Sequence, residues 1–273
     1  MGKILSSANI SPFFIFFTAA IEAKAKAIVF FSSLTAFFSP FNAENMILEP
    51  SVNNFNSFGS KDALISGPLL FLLSVKCFST KEAPIEIAPN DVYDAVFDYE
   101  IGPLDLHQCA DAAMYLWASY NYSNGPEFYE RLVFNGADGT EYNYLGYLET
   151  SGKEDNCKTF RRWLDLVWTY ANTWSISEYN LTSVPIWDIQ PGDIFIIGGF
   201  PGHAVSVVDV LHNEETGHKY FMLAQSFMPA QDNHILKNPE TGTVWYEIKS
   251  YMTNVNTPQY TFHINDLKRW RNR

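Results

Sequence analysis

The chain has 273 residues, of which 47% are hydrophobic and 16% aromatic. This composition is too apolar for a disordered protein and is sufficient for one large core or two small ones. A formal net charge of −12 argues against nucleic acid as a partner, because phosphate binding requires a basic surface. The three cysteines are far apart and predict neither a disulfide framework nor a zinc site of paired cysteines.

The charge is unevenly distributed along the chain. Residues 1–90 contain 6 Lys and 6 Asp or Glu, so the rest of the chain carries the whole net charge of −12. This shift predicts a domain boundary near residue 90, with a folded domain over residues 91–273.

The N-terminal region has the features of an export signal. The apolar run Phe13–Phe17 follows Lys3 and precedes small residues of the A-x-A type, as in a signal peptide. An error in the translated reading frame is the alternative for residues 1–90. We expect membrane association only through this region, and a cell-envelope or extracytoplasmic location, with a cytoplasmic location as the alternative.

The sequence patterns that predict secondary structure are clearer after residue 90. VYDAVFDYEI predicts a strand, Gly102-Pro103 breaks the chain, and Asp105 with Gln108 forms a capping-box pattern before a helix that contains Cys109. A second helix is predicted over 156–174. The segments DIFIIGG, HAVSVVDVL, KYFMLAQS, VWYEI and QYTFHI then predict antiparallel strands. The order of helices followed by strands predicts an α+β fold, with the N-terminal helices packed on an antiparallel sheet.

Cys109 is the candidate nucleophile of this domain. A cysteine in the first turn of a helix is expected to have a lowered pKa, because the helix N-terminus stabilises a thiolate. His203 begins an apolar strand after a glycine-rich stretch that includes Gly202, and it is the candidate base. Gln225, on the neighbouring predicted strand, could orient its imidazole, with Ser226 and Asp209 as the alternatives.

Structural roles are the competing interpretation of these residues. A cysteine in an alanine-rich helix is most often a packing residue, and a histidine at the start of a strand is more often a hydrogen-bonded structural residue than a base. His107 is expected to point elsewhere on the helix. His212 and His218 flank a turn with no third ligand, so we predict no metal. Gln231, Asn233 and His234 lie in MPAQDNHILKNP, which predicts a long loop that either shapes a substrate pocket or is held by its own hydrogen bonds.

Three blocks of the sequence resemble one bacterial family. QCADAAMYLWASYNY, IQPGDIFIIGGFPGHAVSVVDV and MLAQSFMPAQDNHILKNP are similar, in this order, to domain of unknown function 4846, over about residues 92–270. That family in turn resembles the NlpC-type, papain-like cysteine peptidases. The resemblance implies a papain-like core in which Cys109, His203 and Gln225 are catalytic, and no cofactor.

The resemblance also implies a reaction. We expect a thiol-dependent amidase or endopeptidase acting on a peptide or peptidoglycan-like substrate, with cell-wall stem peptides as the first candidate. Gln108, Gly202, Ser226, Gln231 and His234 are the expected substrate-binding residues. The alternatives are a non-catalytic module that binds a peptide or glycan on the same fold, and a thiol acyltransferase.

Overall fold

The computed structural model describes residues 92–97, 99–213 and 216–272. The predictions for residues 1–90 lie outside this part of the chain. Within it, helices combine with antiparallel sheets, which confirms the α+β class. The longer helices are α1 (Cys109–Asn124), α2 (Tyr144–Ser151) and α3 (Cys157–Tyr170). The strands are β1 (Tyr93–Val96), β2 (Val133–Asn135), β3 (Glu141–Asn143), β4 (Leu181–Ser183), β5 (Ile194–Ile197), β6 (His203–His212), β7 (Lys219–Gln225), β8 (His234–Leu236), β9 (Trp245–Glu247), β10 (Asn254–Asn256), β11 (Thr261–His263) and β12 (Leu267–Trp270).

The main sheet has the strand order β1-β8-β7-β6-β5-β12-β4, with β9 paired to β7 and every pair antiparallel. Strands β10 and β11 form a separate hairpin, as do β2 and β3. The prediction that MPAQDNHILKNP is a loop throughout is wrong. Its residues His234–Leu236 form β8, because Ile235 pairs with Ala224 on one side and with Ala95 on the other.

Both faces of the central strands are buried. Ile194 and Ile196 of β5, together with Ala204 of β6, belong to the core that contains the helices. Phe195 and Val205 alternate with them and belong to a second core that includes residues of the β10–β11 hairpin. Because successive side chains of a strand point to opposite faces, this double burial explains why β5 is an unbroken apolar run.

The start of α1 differs from the prediction. Asp105 does not cap the helix, because its Oδ1 accepts the N–H of Ala230 at 2.7 Å. The helix begins instead at Cys109 with Gln108 as its N-cap, and Asp111 accepts the Gln108 N–H at 2.9 Å.

Burial of α1 is also more extensive than one apolar face would give. Of the residues from Cys109 to Tyr120, only Cys109, Leu116 and Tyr120 are partly exposed.

A buried ion pair fixes the turn before β5. Asp193 of the Pro191-Gly192-Asp193 turn is fully buried, and its two carboxylate oxygens accept hydrogen bonds from the Arg269 guanidinium at 2.7 and 2.8 Å. This paired arrangement joins the turn to β12, the strand that pairs with β5. No helix within the described ranges is long and apolar enough to cross a membrane.

Candidate active site

His203 and Gln225 form a buried hydrogen bond. Nε2 of His203 lies 2.7 Å from Oε1 of Gln225, and the two side chains are 2% and 1% exposed. Their contact follows from the sheet, since His203 is the first residue of β6 and Gln225 is the last residue of the antiparallel β7. Gln225 is thus the residue that contacts the imidazole, whereas the hydroxyl of Ser226 and the carboxylate of Asp209 bond elsewhere.

A second histidine continues this chain of hydrogen bonds. His234 pairs with Gln225 across β7 and β8, and its Nδ1 lies 2.8 Å from the carbonyl oxygen of Asp232. Because a carbonyl only accepts, His234 carries its proton on Nδ1, which leaves Nε2 to accept from the Gln225 amide at 3.5 Å. The amide oxygen of Gln225 therefore faces His203, which carries its own proton on Nε2. Nδ1 of His203 is then the basic nitrogen.

Aromatic rings cover His203. Its imidazole stacks on Tyr260 at a centroid distance of 4.1 Å and an angle of 17°, and Phe227 lies 5.2 Å away. Gln259, next to Tyr260, accepts a hydrogen bond from the Gln225 amide at 2.5 Å. Burial lowers the pKa of His203 to about 4, against an opposing contribution from its bond to Gln225. His203 is therefore neutral at pH 7.

Cys109 is a partly exposed free thiol at the first position of α1. The expected lowering of its pKa is wrong, because the pKa of Cys109 is raised. Burial is the main cause and the charge of Asp111 adds to it. These effects outweigh the N–H groups of Ala204, Ala110 and Cys109 itself, which act on the sulfur in the opposite direction. The helix terminus thus contributes as expected but does not decide the result.

The thiol and the imidazole lie around the end of the same strand. The Cys109 sulfur faces the N–H of Ala204, while α1 packs on the face of the sheet that contains the Ala204 side chain. The side chain of His203 points to the opposite face, against Tyr260 and Phe262. The sulfur therefore contacts the residue that follows His203 in the strand.

The backbone before Cys109 is strained and tightly held. His107 has a φ of 81°, which is uncommon for a residue other than glycine. Nε2 of its buried ring is hydrogen-bonded to the hydroxyl of Tyr99 at 2.9 Å. The ring also makes edge contacts with Tyr115 and Trp168. Its carbonyl oxygen lies 2.7 Å from the hydroxyl of Ser226. The expectation that His107 points elsewhere on the helix is wrong in its premise, because the helix begins at Cys109 and His107 precedes it.

The expected substrate-binding residues have different surroundings. The Gln108 amide donates to the carbonyl of Asp105 at 3.2 Å, on the partly exposed side of the helix start. A Cβ at Gly202 would overlap Thr173 and the carbonyl of Gly199, so the glycine makes room for the protein's own chain. Ser226 is fully buried, and its hydroxyl also lies 2.7 Å from the carbonyl of Gln231.

Two of these residues are buried and hydrogen-bonded within the protein. Ser226 joins the end of β7 to the backbone before Cys109, and His234 is buried behind Gln225. Gln108 and Gln231 are partly exposed. Among the described residues, no group of three or more His, Cys, Asp or Glu side chains is placed to hold a metal ion.

Comparison with known proteins identifies a family but no characterised relative. No curated protein and no solved structure matches the chain. Residues 74–269 match the family described as Domain of unknown function (4846), a range that begins before the expected start at residue 92. The match covers more than half of the chain and contains all the residues that form the candidate site. The chain therefore belongs to the family Domain of unknown function (4846).

Proposed function

We propose that this domain is a thiol-dependent amidase or endopeptidase on a papain-like core of the NlpC type. Cys109 is the nucleophile, His203 the base and Gln225 the residue that orients the imidazole. The observation that carries the proposal is the 2.7 Å bond between His203 and Gln225, together with the N–H of the next residue, Ala204, which faces the Cys109 sulfur. A histidine with a fixed tautomer next to a cysteine at a helix start is the arrangement that acyl transfer to sulfur requires.

The reaction proceeds in two stages. The Sγ–C bond forms at the amide carbonyl carbon while Nδ1 of His203 accepts the thiol proton. The C–N bond then breaks, and the imidazolium returns the proton to the departing amine. In the second stage His203 takes a proton from water, the hydroxide attacks the thioester, and the Cys109 thiol is restored with release of the carboxylic acid.

The resting state is a neutral thiol beside a neutral imidazole, because the pKa of Cys109 is raised and that of His203 is about 4. The proposed enzyme therefore moves the proton during the attack and holds no preformed thiolate–imidazolium pair. The base is unprotonated throughout the neutral range. Acylation is then expected to change little between about pH 5 and pH 8, and to rise above that as the thiol ionises.

The N-terminus of α1 supplies candidate donors for the oxyanion. The N–H of Cys109 lies in the first turn of the helix, where backbone donors have no partner within the helix. The Gln108 side chain can add a second donor once it leaves the Asp105 carbonyl. Both belong to the segment that the strained His107 and the Ser226 contact hold in place.

The substrate is a peptide amide, and cell-wall stem peptides are the class that the resemblance implies. The proposed location is the cell envelope or outside the cytoplasm.

The test is the burst of nitrophenolate that 4-nitrophenyl acetate releases when it acylates Cys109. We expect a stoichiometric burst in the wild type and none in Cys109→Ser. In His203→Ala the burst should be slower by a factor on the order of 100 or more. His212→Ala is the matched control, since His212 is exposed at the opposite end of the same strand, and its burst should be unchanged. An equal burst in wild type and His203→Ala would refute the dyad.

Two alternatives share the site. A non-catalytic peptide- or glycan-binding module is favoured by one observation, the sulfur facing the Ala204 amide while the thiol remains protonated. It predicts no burst in any variant. A thiol acyltransferase predicts the burst but little hydrolysis, with faster release of the acyl group when an amine acceptor is added.

A further inference from the structure

Three exposed apolar side chains lie within five residues, in sequence, of the proposed catalytic residues. Leu104 is 57% exposed and precedes Cys109, Phe200 is 84% exposed and precedes His203, and Met228 is 66% exposed and follows Gln225. We call Leu104, Phe200 and Met228 the apolar rim. Each member lies on the loop that enters or leaves the element of one catalytic residue.

Two of the loops that carry the rim are joined to each other, and one of these two contacts the site. The carboxylate of Asp105, next to Leu104, accepts the N–H of Ala230 at 2.7 Å, two residues after Met228. The ring of Phe227, between Ser226 and Met228, lies 5.2 Å from the His203 imidazole. Leu104 and Met228 therefore lie on joined loops next to the covering of the base, and Phe200 lies three residues before the base itself.

These loops offer little to a charged ligand. Residues 102–106, 198–202 and 227–231 contain no Lys or Arg, and Asp105 is their one acidic residue. Its hydrogen bond to Ala230 engages the carboxylate within the protein. With a net charge of −12 for the chain, nothing in these loops attracts an anionic substrate, whereas three large exposed apolar groups gain from being covered.

We infer that the proposed enzyme acts on peptide segments with apolar side chains flanking the reacting amide, and that the apolar rim selects them. The inference rests on the proposed function, because it names the substrate class of that site. It disfavours cell-wall stem peptides whose residues next to the amide carry carboxylates.

The test compares two thiol-directed probes that differ only in side chains. One is a dipeptidyl acyloxymethyl ketone with Leu and Phe, and the other carries Asp and Glu in their place. Cys109 displaces the acyloxy group as a carboxylate and forms a thioether in both. We expect the apolar probe to label Cys109 at least about tenfold faster. Phe200→Ser and Met228→Ser should remove most of this preference without changing the rate with iodoacetamide, which has no side chain to recognise.

Trp187→Ser is the matched control. Trp187 is 49% exposed, and its carbonyl contacts Lys219 at the end of β7 opposite to Gln225, so its loss should leave the preference intact. Equal labelling by the two probes would overturn the inference, while the nitrophenolate burst and its dependence on His203 would still support the proposed function. Loss of the burst would remove both. Binding of the wild type, but not of Phe200→Ser, to phosphatidylcholine vesicles with equal probe rates would also overturn it, in favour of a lipid surface.

Discussion

The candidate site has a sheet side, which carries His203 and Gln225, and a helix side, which carries Cys109. The two sides differ in how their surroundings treat the polar group. On the sheet side, His203, Gln225 and His234 form a continuous buried chain of hydrogen bonds that assigns a proton to each ring. On the helix side, Cys109 follows a strained residue and lies near a buried carboxylate, Asp111, whose own pKa is raised to about 7. The sheet side satisfies its polar groups, whereas the helix side opposes ionisation of its thiol.

This difference indicates where catalytic power would come from. A base with a fixed tautomer needs no rearrangement before it accepts a proton. Tyr260 stacks on His203 and Gln259 accepts a hydrogen bond from Gln225, and both contacts hold the His203–Gln225 pair in place. A thiol with a raised pKa has less thiolate at neutral pH and is therefore alkylated more slowly unless a base accepts its proton. The comparison therefore predicts that variants on the sheet side affect the base, and variants on the helix side affect the thiol.

Acidification should have the largest effect, a loss of folding stability that arises on the sheet side. The pKa values of His203 and His234 are about 4, below the 6.5 of an exposed histidine. In the unfolded chain both rings gain protons as the pH falls through 6.5, while the folded protein excludes them until about pH 4. Stability present above pH 6.5 is thus lost on acidification, by roughly 3 kcal/mol for each histidine.

Urea unfolding between pH 7.5 and pH 4.5 measures this loss. The variant His234→Gln should lose less stability over the same range than the wild type, while His212→Ala, at an exposed position, should follow the wild type. Asp111 acts in the opposite direction, because its raised pKa makes its burial less unfavourable as the pH falls. Identical pH dependence in His234→Gln and wild type would show that the ring is not held neutral.

Loss of the orienting amide should have the next largest effect. Gln225→Leu leaves Nε2 of His203 without its acceptor, and we expect the nitrophenolate burst to slow by a factor on the order of 100. Gln259→Leu removes only the outer contact to the same amide and should slow it a few-fold. If both variants acylate equally fast, the chain of hydrogen bonds does not position the base.

Ser226 joins the two sides and should matter mainly for stability. Ser226→Ala removes a buried hydroxyl whose one hydrogen can be donated to the carbonyl of His107 or of Gln231, a loss of about 1–3 kcal/mol. Thermal or urea unfolding measures it, with Ser183→Ala, exposed on β4, as a control that should stay near the wild type. An unchanged stability would show that other contacts hold the strained His107.

The smallest expected effect concerns the charge beside the thiol. Asp111 is largely ionised at pH 8 and raises the pKa of Cys109, so Asp111→Asn should lower that pKa and speed alkylation by iodoacetamide several-fold at pH 8. Peptide mass spectrometry gives the rate for Cys109. Asp138→Asn, at an exposed position, should leave it unchanged. A slower reaction in Asp111→Asn would mean that the carboxylate supports the helix start more than it opposes the thiolate.

The sequence by itself determined several of the elements and the first candidates for the site. Apolar runs predicted β5, β6 and β7, and the helical spacing of aromatic residues predicted α3, because local hydrophobic patterns report burial. The pairing of His203 with Gln225 was predictable since a short hairpin brings the start of one strand beside the end of the next. The three segments that resemble the family added the order of the motifs along the chain, but not the distances between the site residues.

Only the tertiary structure decided the charge states and the covering of the site. Whether Cys109 ionises depends on burial and on Asp111 as well as on the helix terminus, and these contributions have opposite signs. Tyr260 stacks on His203 from a hairpin far along the chain, and the left-handed His107 is held by a serine that follows β7. Desolvation, stacking and strain are properties of groups brought together by the fold, so no local pattern in the sequence could encode them.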